Sequence, residues 1–225
     1  MKYKNLLFDV DDTLLDFQDA QKVALKFLFE SMDIPYNEET EKMYNTMNQS
    51  RWRQFEQGIL TSEQVVNGRF GIFFNQLGIV VDSVEMERNY RQYLKEGIKP
   101  VENSLELVNS LSKQANLYIV TNGIAETQSY RLQKSGLIPY FKDVFISEEL
   151  NAQKPSINFF NTVFSRIPYF NKEETAIIGD SLTSDIQGGI NAGIDTIWYN
   201  PKRKEVKDPV MPTYDIAHLN EIYEL

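Results

Sequence analysis

The stretch Asn5-Leu6-Leu7-Phe8-Asp9-Val10-Asp11-Asp12-Thr13-Leu14 decides how this chain is read. Residues Asn5 to Val10 form a short apolar run that reads as a buried strand, and the run breaks into acid at its end. Side chains alternate along a strand, so Asp9 and Asp11 are expected on the same face. Two carboxylates on one face in an apolar setting repel each other and lose hydration. A hard divalent cation with oxygen ligands, Mg2+ above all, offsets that cost. The same residues also suit a plain acidic turn that caps a helix, because Asp and Thr are good N-caps.

Working outward, similar short apolar runs recur at Leu117 to Val120, Val144 to Ile146, Ala176 to Ile178 and Thr196 to Tyr199. Helical patterns lie between them at Ala125 to Ser135, Asn158 to Arg166 and Thr183 to Asn191. Strands alternating with helices predict parallel βαβ units with helices on both faces. Ligands in such sheets sit outside the carboxyl ends of the strands. Residues from about Phe17 to Gly97 have another texture: four helical patterns and no convincing strand. These are roughly Asp19 to Met32, Glu38 to Gln57, Thr61 to Gly78 and Ser83 to Glu96, the third opening with a capping-type sequence. The expected architecture is an α/β, Rossmann-like parallel core built from residues 1–16 and 98–225. A helical cap of residues 17–97 is inserted into it.

Three further sites fall at expected strand ends. Thr121-Asn122-Gly123 offers a hydroxyl, an amide and backbone N–H groups at a helix start, which suits a phosphate oxygen. Lys154 precedes Pro155, which disfavours helix at the lysine and sets a point positive charge on an extended approach. Gly179-Asp180 ends the next strand, and Asp185 follows five residues later, where it can orient Asp180 or the waters of a metal. Each of the three is also an ordinary turn or cap by itself. Their weight comes from falling, together with the Asp9 site, at four different strand ends of one parallel sheet, all of which share an edge.

Composition narrows the chemistry. Hydrophobic residues make up 42% of the 225, enough for a buried core. With 23 basic and 32 acidic residues the formal net charge is −9, which gives no support to nucleic-acid or anionic-membrane binding. There is no cysteine, hence no disulfide, thiolate nucleophile or Cys-ligated zinc, and the single histidine, His218, is expected to have an ordinary role near the C-terminus. Lys2 and Lys4 run straight into a short apolar stretch that ends at Asp9, unlike a secretory signal, so a cytoplasmic protein is expected.

Asp9-x-Asp11-x-Thr13, Thr121, Lys154-Pro155 and Gly179-Asp180-(x4)-Asp185 together resemble the four ordered motifs of the haloacid dehalogenase (HAD) superfamily. The position of the helical insert is similar to that of the C1-capped subgroup. Gly58-Ile59-Leu60-Thr61, Asn67-Gly68-Arg69-Phe70, Ile146-Ser147-Glu148-Glu149 and Gly188-Gly189-Ile190-Asn191-Ala192-Gly193 resemble its pyrimidine 5′-nucleotidases. The resemblance implies a Mg2+-dependent phosphomonoester hydrolase with a nucleoside monophosphate as substrate. In it, Asp9 would be the nucleophile and Asp11 the acid–base group. Thr121, Asn122 (through its backbone) and Lys154 would hold the phosphoryl oxygens. The metal would take the Asp9 and Asp180 carboxylates and the Asp11 carbonyl.

Dehalogenase chemistry leaves a second acid at position 11 without a task, since halide departs unprotonated. A sugar-phosphate or small-metabolite phosphatase and a phosphomutase fit the same residues. A phospho-accepting signalling receiver does not: its acidic pair comes first and its phosphorylated Asp on a middle strand, whereas here an isolated acidic site follows Lys154-Pro155. Arg51, Trp52, Phe55, Arg69 and Phe70 are candidates to line the cap's mouth, and equally candidates for cap core.

Overall fold

Each apolar run is a strand of one parallel sheet in the computed structural model, which describes residues 2–205 and 210–225. The strands are β1 (Asn5–Phe8), β2 (Asn116–Thr121), β3 (Asp143–Ile146), β4 (Thr175–Gly179), β5 (Asp195–Tyr199) and β6 (Tyr214–Ile216). Among the described residues their order is β3-β2-β1-β4-β5-β6, every pairing parallel. The period-2 pleat divides the core in two. Leu6, Phe8, Leu117, Ile119, Ala176 and Ile178 enter one apolar cluster, while Leu7, Tyr118, Val120 and Ile177 enter the other. With both faces covered, the central strands are apolar without alternation. β6 is absent from the sequence expectation because Tyr-Asp-Ile at a sheet edge is too short and too polar to register as a run.

The helices in chain order are α1 (Phe17–Glu30), α2 (Glu38–Glu56), α3 (Ser62–Gln76), α4 (Ser83–Leu94), α5 (Ser104–Leu111), α6 (Ala125–Lys134), α7 (Ser147–Leu150), α8 (Ile157–Arg166) and α9 (Gln187–Ala192). The chain divides into two units, Met1–Asp16 with Ile98–Leu225, and Phe17–Gly97. In the first unit, α9 lies close on the sheet at Gly189 and close on α8 at Gly188. A Cβ on Gly189 would sit 2.4 Å from Thr196 Cγ2, and one on Gly188 would sit 2.6 Å from Phe160 Cε2. His218 precedes a terminal 3-10 turn, its N–H donating to Glu221 at 2.7 Å. Among the described residues no helix is long and apolar enough to cross a membrane.

The second unit is α1 to α4 around buried rings from Phe29, Tyr44, Phe70, Phe73, Phe74 and Tyr90. Thr61 and Gln64 form a reciprocal capping box at the start of α3, as the sequence suggests. Arg69 is 3% exposed and Phe70 is fully buried, so neither lines a surface; Phe55 is buried, and Arg51 and Trp52 are half-buried. The Arg69 guanidinium donates twice to Glu87, at 2.7 and 2.8 Å, and once to Asn48 at 3.3 Å, and it lies 4.8 Å from the Tyr90 ring. Asn48 in turn donates to Gln21 on α1, so polar contacts cross all four helices inside an aromatic core. Glu87→Ala strands the buried guanidinium and is expected to destabilise this unit by about 3–5 kcal/mol. Urea unfolding followed by tryptophan fluorescence measures it, since Trp52 lies in this unit; a loss under about 1 kcal/mol, the level of an exposed pair, would show that the pair contributes little.

Candidate active site

β1, β2 and β4 are neighbours, and their carboxyl ends carry Asp9, Thr121 and Asp180 onto one edge of the sheet. Asp9 is locked to β4 by its N–H, which donates to the Ile178 carbonyl at 2.9 Å. β1 has ended by then, at Phe8, so Asp11 sits in the following loop and strand alternation does not govern it.

Lys154 arrives from the loop between α7 and α8 and is 1% exposed. Its ammonium donates to Asp9 Oδ1 at 2.7 Å, Asp185 Oδ1 at 2.6 Å and the Val120 carbonyl at 2.8 Å. Three donors meet three acceptors, which satisfies a buried cation. The loop that delivers it is clamped by the Asn122 side chain, which accepts from the Lys154 N–H and donates to the Lys154 carbonyl, both at 2.9 Å. Sequence reasoning assigned Asn122 a phosphate through its backbone; its side chain holds the lysine. The Lys154-Pro155 peptide is cis.

Carboxylate oxygens of Asp9, Asp180 and Asp185 all lie within 4.8 Å of one another. Asp185 is fixed at both oxygens, Oδ2 accepting from the Ser181 N–H at 3.1 Å. Gly179 makes room for it, because a Cβ there would stand 2.2 Å from Asp185 Oδ2. The segment that carries Asp185, Leu182–Ile186, is a π-turn rather than the first turn of an α-helix, with the Ile186 N–H reaching back to the Ser181 carbonyl at 3.1 Å. Burial pushes the Asp9 carboxyl up to about 8; Lys154 opposes this, and Asp185 and Asp11 add to it. Burial, then Asp185, Asp9 and Asp12, raise Asp180 well above the usual carboxylate range. Burial works against the Lys154 charge, but Asp185 and Asp9 outweigh it and raise its pKa. Three carboxylates therefore face one ammonium. The donor set is all hard oxygen with an excess of negative charge, and that fits a hard divalent cation.

Thr121 is buried, and its Oγ1 accepts from the Gly123 N–H and from Gln128 Nε2, each at 3.1 Å. A hydroxyl with both lone pairs engaged keeps its proton to donate. The Asp11 carboxylate has partners of its own. Its Oδ1 meets Arg131 Nη1 at 2.5 Å and its Oδ2 meets Gln128 Nε2 at 2.7 Å. Gln128 and Arg131 are both 1% exposed, and sequence reasoning passed over both. The available signal was a pair of long polar residues three apart on a helix that directly follows a candidate phosphate loop.

The model of the haloacid dehalogenase-like hydrolase family matches residues 6–199 of this chain. The HAD-hydrolase YfnB of Bacillus subtilis is 48% identical over 224 residues, covering all of this chain and 95% of that protein. The pyrimidine 5′-nucleotidase PynA of Streptococcus pneumoniae is 41% identical over 225 residues, again with all of this chain and 95% of that protein covered. The crystal structure of YfnB bound to magnesium superposes with a TM-score of 0.96, covering 100% of this chain and 98% of that one. The chain belongs to the haloacid dehalogenase-like hydrolases.

Proposed function

We propose that this chain is a Mg2+-dependent phosphatase that forms an aspartyl-phosphate on Asp9 and acts on nucleoside monophosphates, pyrimidine ones foremost. One observation carries the phosphatase part: Lys154 binds Asp9 and Asp185 at 2.7 and 2.6 Å within a cluster of carboxylates that also includes Asp180. The similarity to PynA, named a pyrimidine 5′-nucleotidase, supports the substrate class.

Lys154 takes Oδ1 of Asp9 and leaves the second oxygen for attack on phosphorus. The bond to the leaving oxygen breaks as the bond to Asp9 forms. Asp11 gives that oxygen a proton, and later removes one from the water that cleaves the acyl phosphate. The Thr121 hydroxyl and the Asn122 backbone hold the phosphoryl oxygens, and Lys154 joins them by exchanging one of its three acceptors for a phosphoryl oxygen. The Asp9 and Asp180 carboxylates with the Asp11 carbonyl would hold Mg2+, with Asp185 steadied beside them. When bound, the ion offsets the charge of carboxylates and phosphate together. The helical unit, Phe17–Gly97, acts as the cap that selects the substrate, with Arg51 and Trp52 as its accessible polar and aromatic candidates.

The test is release of inorganic phosphate from a panel of nucleoside monophosphates and sugar phosphates, with EDTA-treated and Mg2+-restored arms. Pyrimidine monophosphates are expected to exceed the other esters in kcat/KM by on the order of tenfold or more. Chelation is expected to silence all of them, and Mg2+ to restore them. A preference for small sugar phosphates would overturn the nucleotidase assignment, and activity indifferent to chelation would overturn the metal.

A further inference from the structure

We propose that Gln128 and Arg131 on α6 are the positioning residues for Asp11, and that Gln128 ties the Asp11 carboxyl to the Thr121 hydroxyl. This rests on Asp11 being the acid–base group of the phosphatase reaction. The two side chains form a closed set of contacts. Gln128 Nε2 donates to Asp11 Oδ2 at 2.7 Å and to Thr121 Oγ1 at 3.1 Å. Arg131 Nη1 donates to Asp11 Oδ1 at 2.5 Å and to Gln128 Oε1 at 3.1 Å. The amide of Gln128 has one orientation that serves both neighbours, nitrogen toward the carboxylate and oxygen toward the guanidinium.

Both residues are 1% exposed, while the Asp11 side chain they hold is 28% exposed. A loop carboxylate past the end of a strand has free rotamers, and the α6 pair selects one of them by binding both of its oxygens. The phosphate loop is shaped to admit the clamp, since a Cβ on Gly123 would lie 2.3 Å from Gln128 Nε2. Phosphate-side donor and acid–base group are thereby placed by one amide. A change in either side chain is felt at the leaving oxygen first. The Asp9 and Lys154 cluster has its own supports in Asn122 and Ser181.

The experiment measures kcat/KM of the full chain on p-nitrophenyl phosphate, whose leaving group needs no proton, and on a nucleoside monophosphate, whose alkoxide does. kcat/KM reports only the first transfer, before the acyl phosphate is hydrolysed. Asp11→Asn is the reference for loss of the acid. Arg131→Met is expected to lose about 10- to 100-fold on the monophosphate and under about threefold on p-nitrophenyl phosphate, whereas Gln128→Met, which also releases the Thr121 hydroxyl, is expected to lose on both esters and about tenfold more on the monophosphate. Preserved p-nitrophenyl phosphate turnover also reports that the variant is folded. Arg131→Lys is expected to recover only part of the loss, since it cannot reproduce the guanidinium's geometry. In an Asp11→Asn background, adding Arg131→Met is expected to change neither ester more than about twofold.

Equal losses on both esters, or a loss as large in the Asp11→Asn background as in wild type, would overturn the positioning role. If Arg131→Met does not fold, the extra loss of Gln128→Met on the monophosphate over p-nitrophenyl phosphate decides between the same two outcomes. An Asp11→Asn variant without the leaving-group split would instead overturn the acid–base assignment, and this inference with it. Wild-type protein inert toward both esters would strike at the phosphatase reading itself.

Discussion

Asp9→Asn is expected to bring turnover of every phosphate ester to background, a loss of at least about 10^4-fold. The carboxamide is nearly isosteric with the carboxylate but is a poor nucleophile. It also removes one negative charge from a group of three. Lys154 keeps Asp185 and the Val120 carbonyl as partners, so the fold is expected to survive and relief of repulsion to leave stability level or higher. Phosphate release, with a thermal melt on the same sample, checks both parts. Turnover near wild type in a protein shown to carry the amide would end the covalent scheme, whatever the substrate.

Lys154→Met is expected to damage both activity and stability. The apolar side chain fills a similar volume, yet it removes the ammonium that faces Asp9 and Asp185 at the carboxyl ends of β1 and β4. Breaking a buried ion pair from one side costs about 3–5 kcal/mol, because the partner charges stay behind without compensation. In catalysis, losing a fixed positive charge beside the phosphoryl group costs about 10^2- to 10^3-fold. Urea unfolding and phosphate release on the Mg2+-saturated protein read the two effects. A variant as stable and as active as wild type would show that the lysine neither neutralises the cluster nor holds substrate. Asp9→Asn and Lys154→Met differ in a useful way: the first removes the attacking atom and spares the fold, whereas the second disturbs the charge balance that keeps three carboxylates together.

The central strands were legible because burial on both faces leaves a run of apolar residues with nothing polar to interrupt it. β6 was not, because an edge strand of three residues needs no such run. α5 was missed for a related reason: its eight residues, Ser104–Leu111, are marginal as an isolated helix and are held by packing. The pattern from Thr183 predicts one continuous helix, whereas a π-turn precedes α9. Backbone hydrogen bonds set that difference, which side-chain pattern does not encode.

At the site, Asp9, Asp11, Thr121, Lys154, Asp180 and Asp185 were readable as chemistry-bearing residues, although Lys154 comes from the loop between α7 and α8 and Asp185 from the π-turn after β4 rather than from strand ends. The spacing along the chain places Asp9, Thr121 and Asp180 at the end of an apolar run, and a parallel sheet brings such positions to one edge. The partners of these residues were not readable. Nothing in the order of residues says that Asn122 clamps the Lys154 backbone, that Arg69 is buried against Glu87, or that the Asp11 carboxyl faces Gln128 and Arg131.

By itself, the sequence determined the alternation of the five longer strands with helices and the residue types that follow them, because these follow from local periodicity and from one-dimensional spacing. The tertiary structure alone decided which side chain answers which. A hydrogen bond depends on a few tenths of an ångström and on direction, and residues as far apart as Asp11 and Arg131 meet at that precision only after the sheet has closed its register and α6 has packed against it.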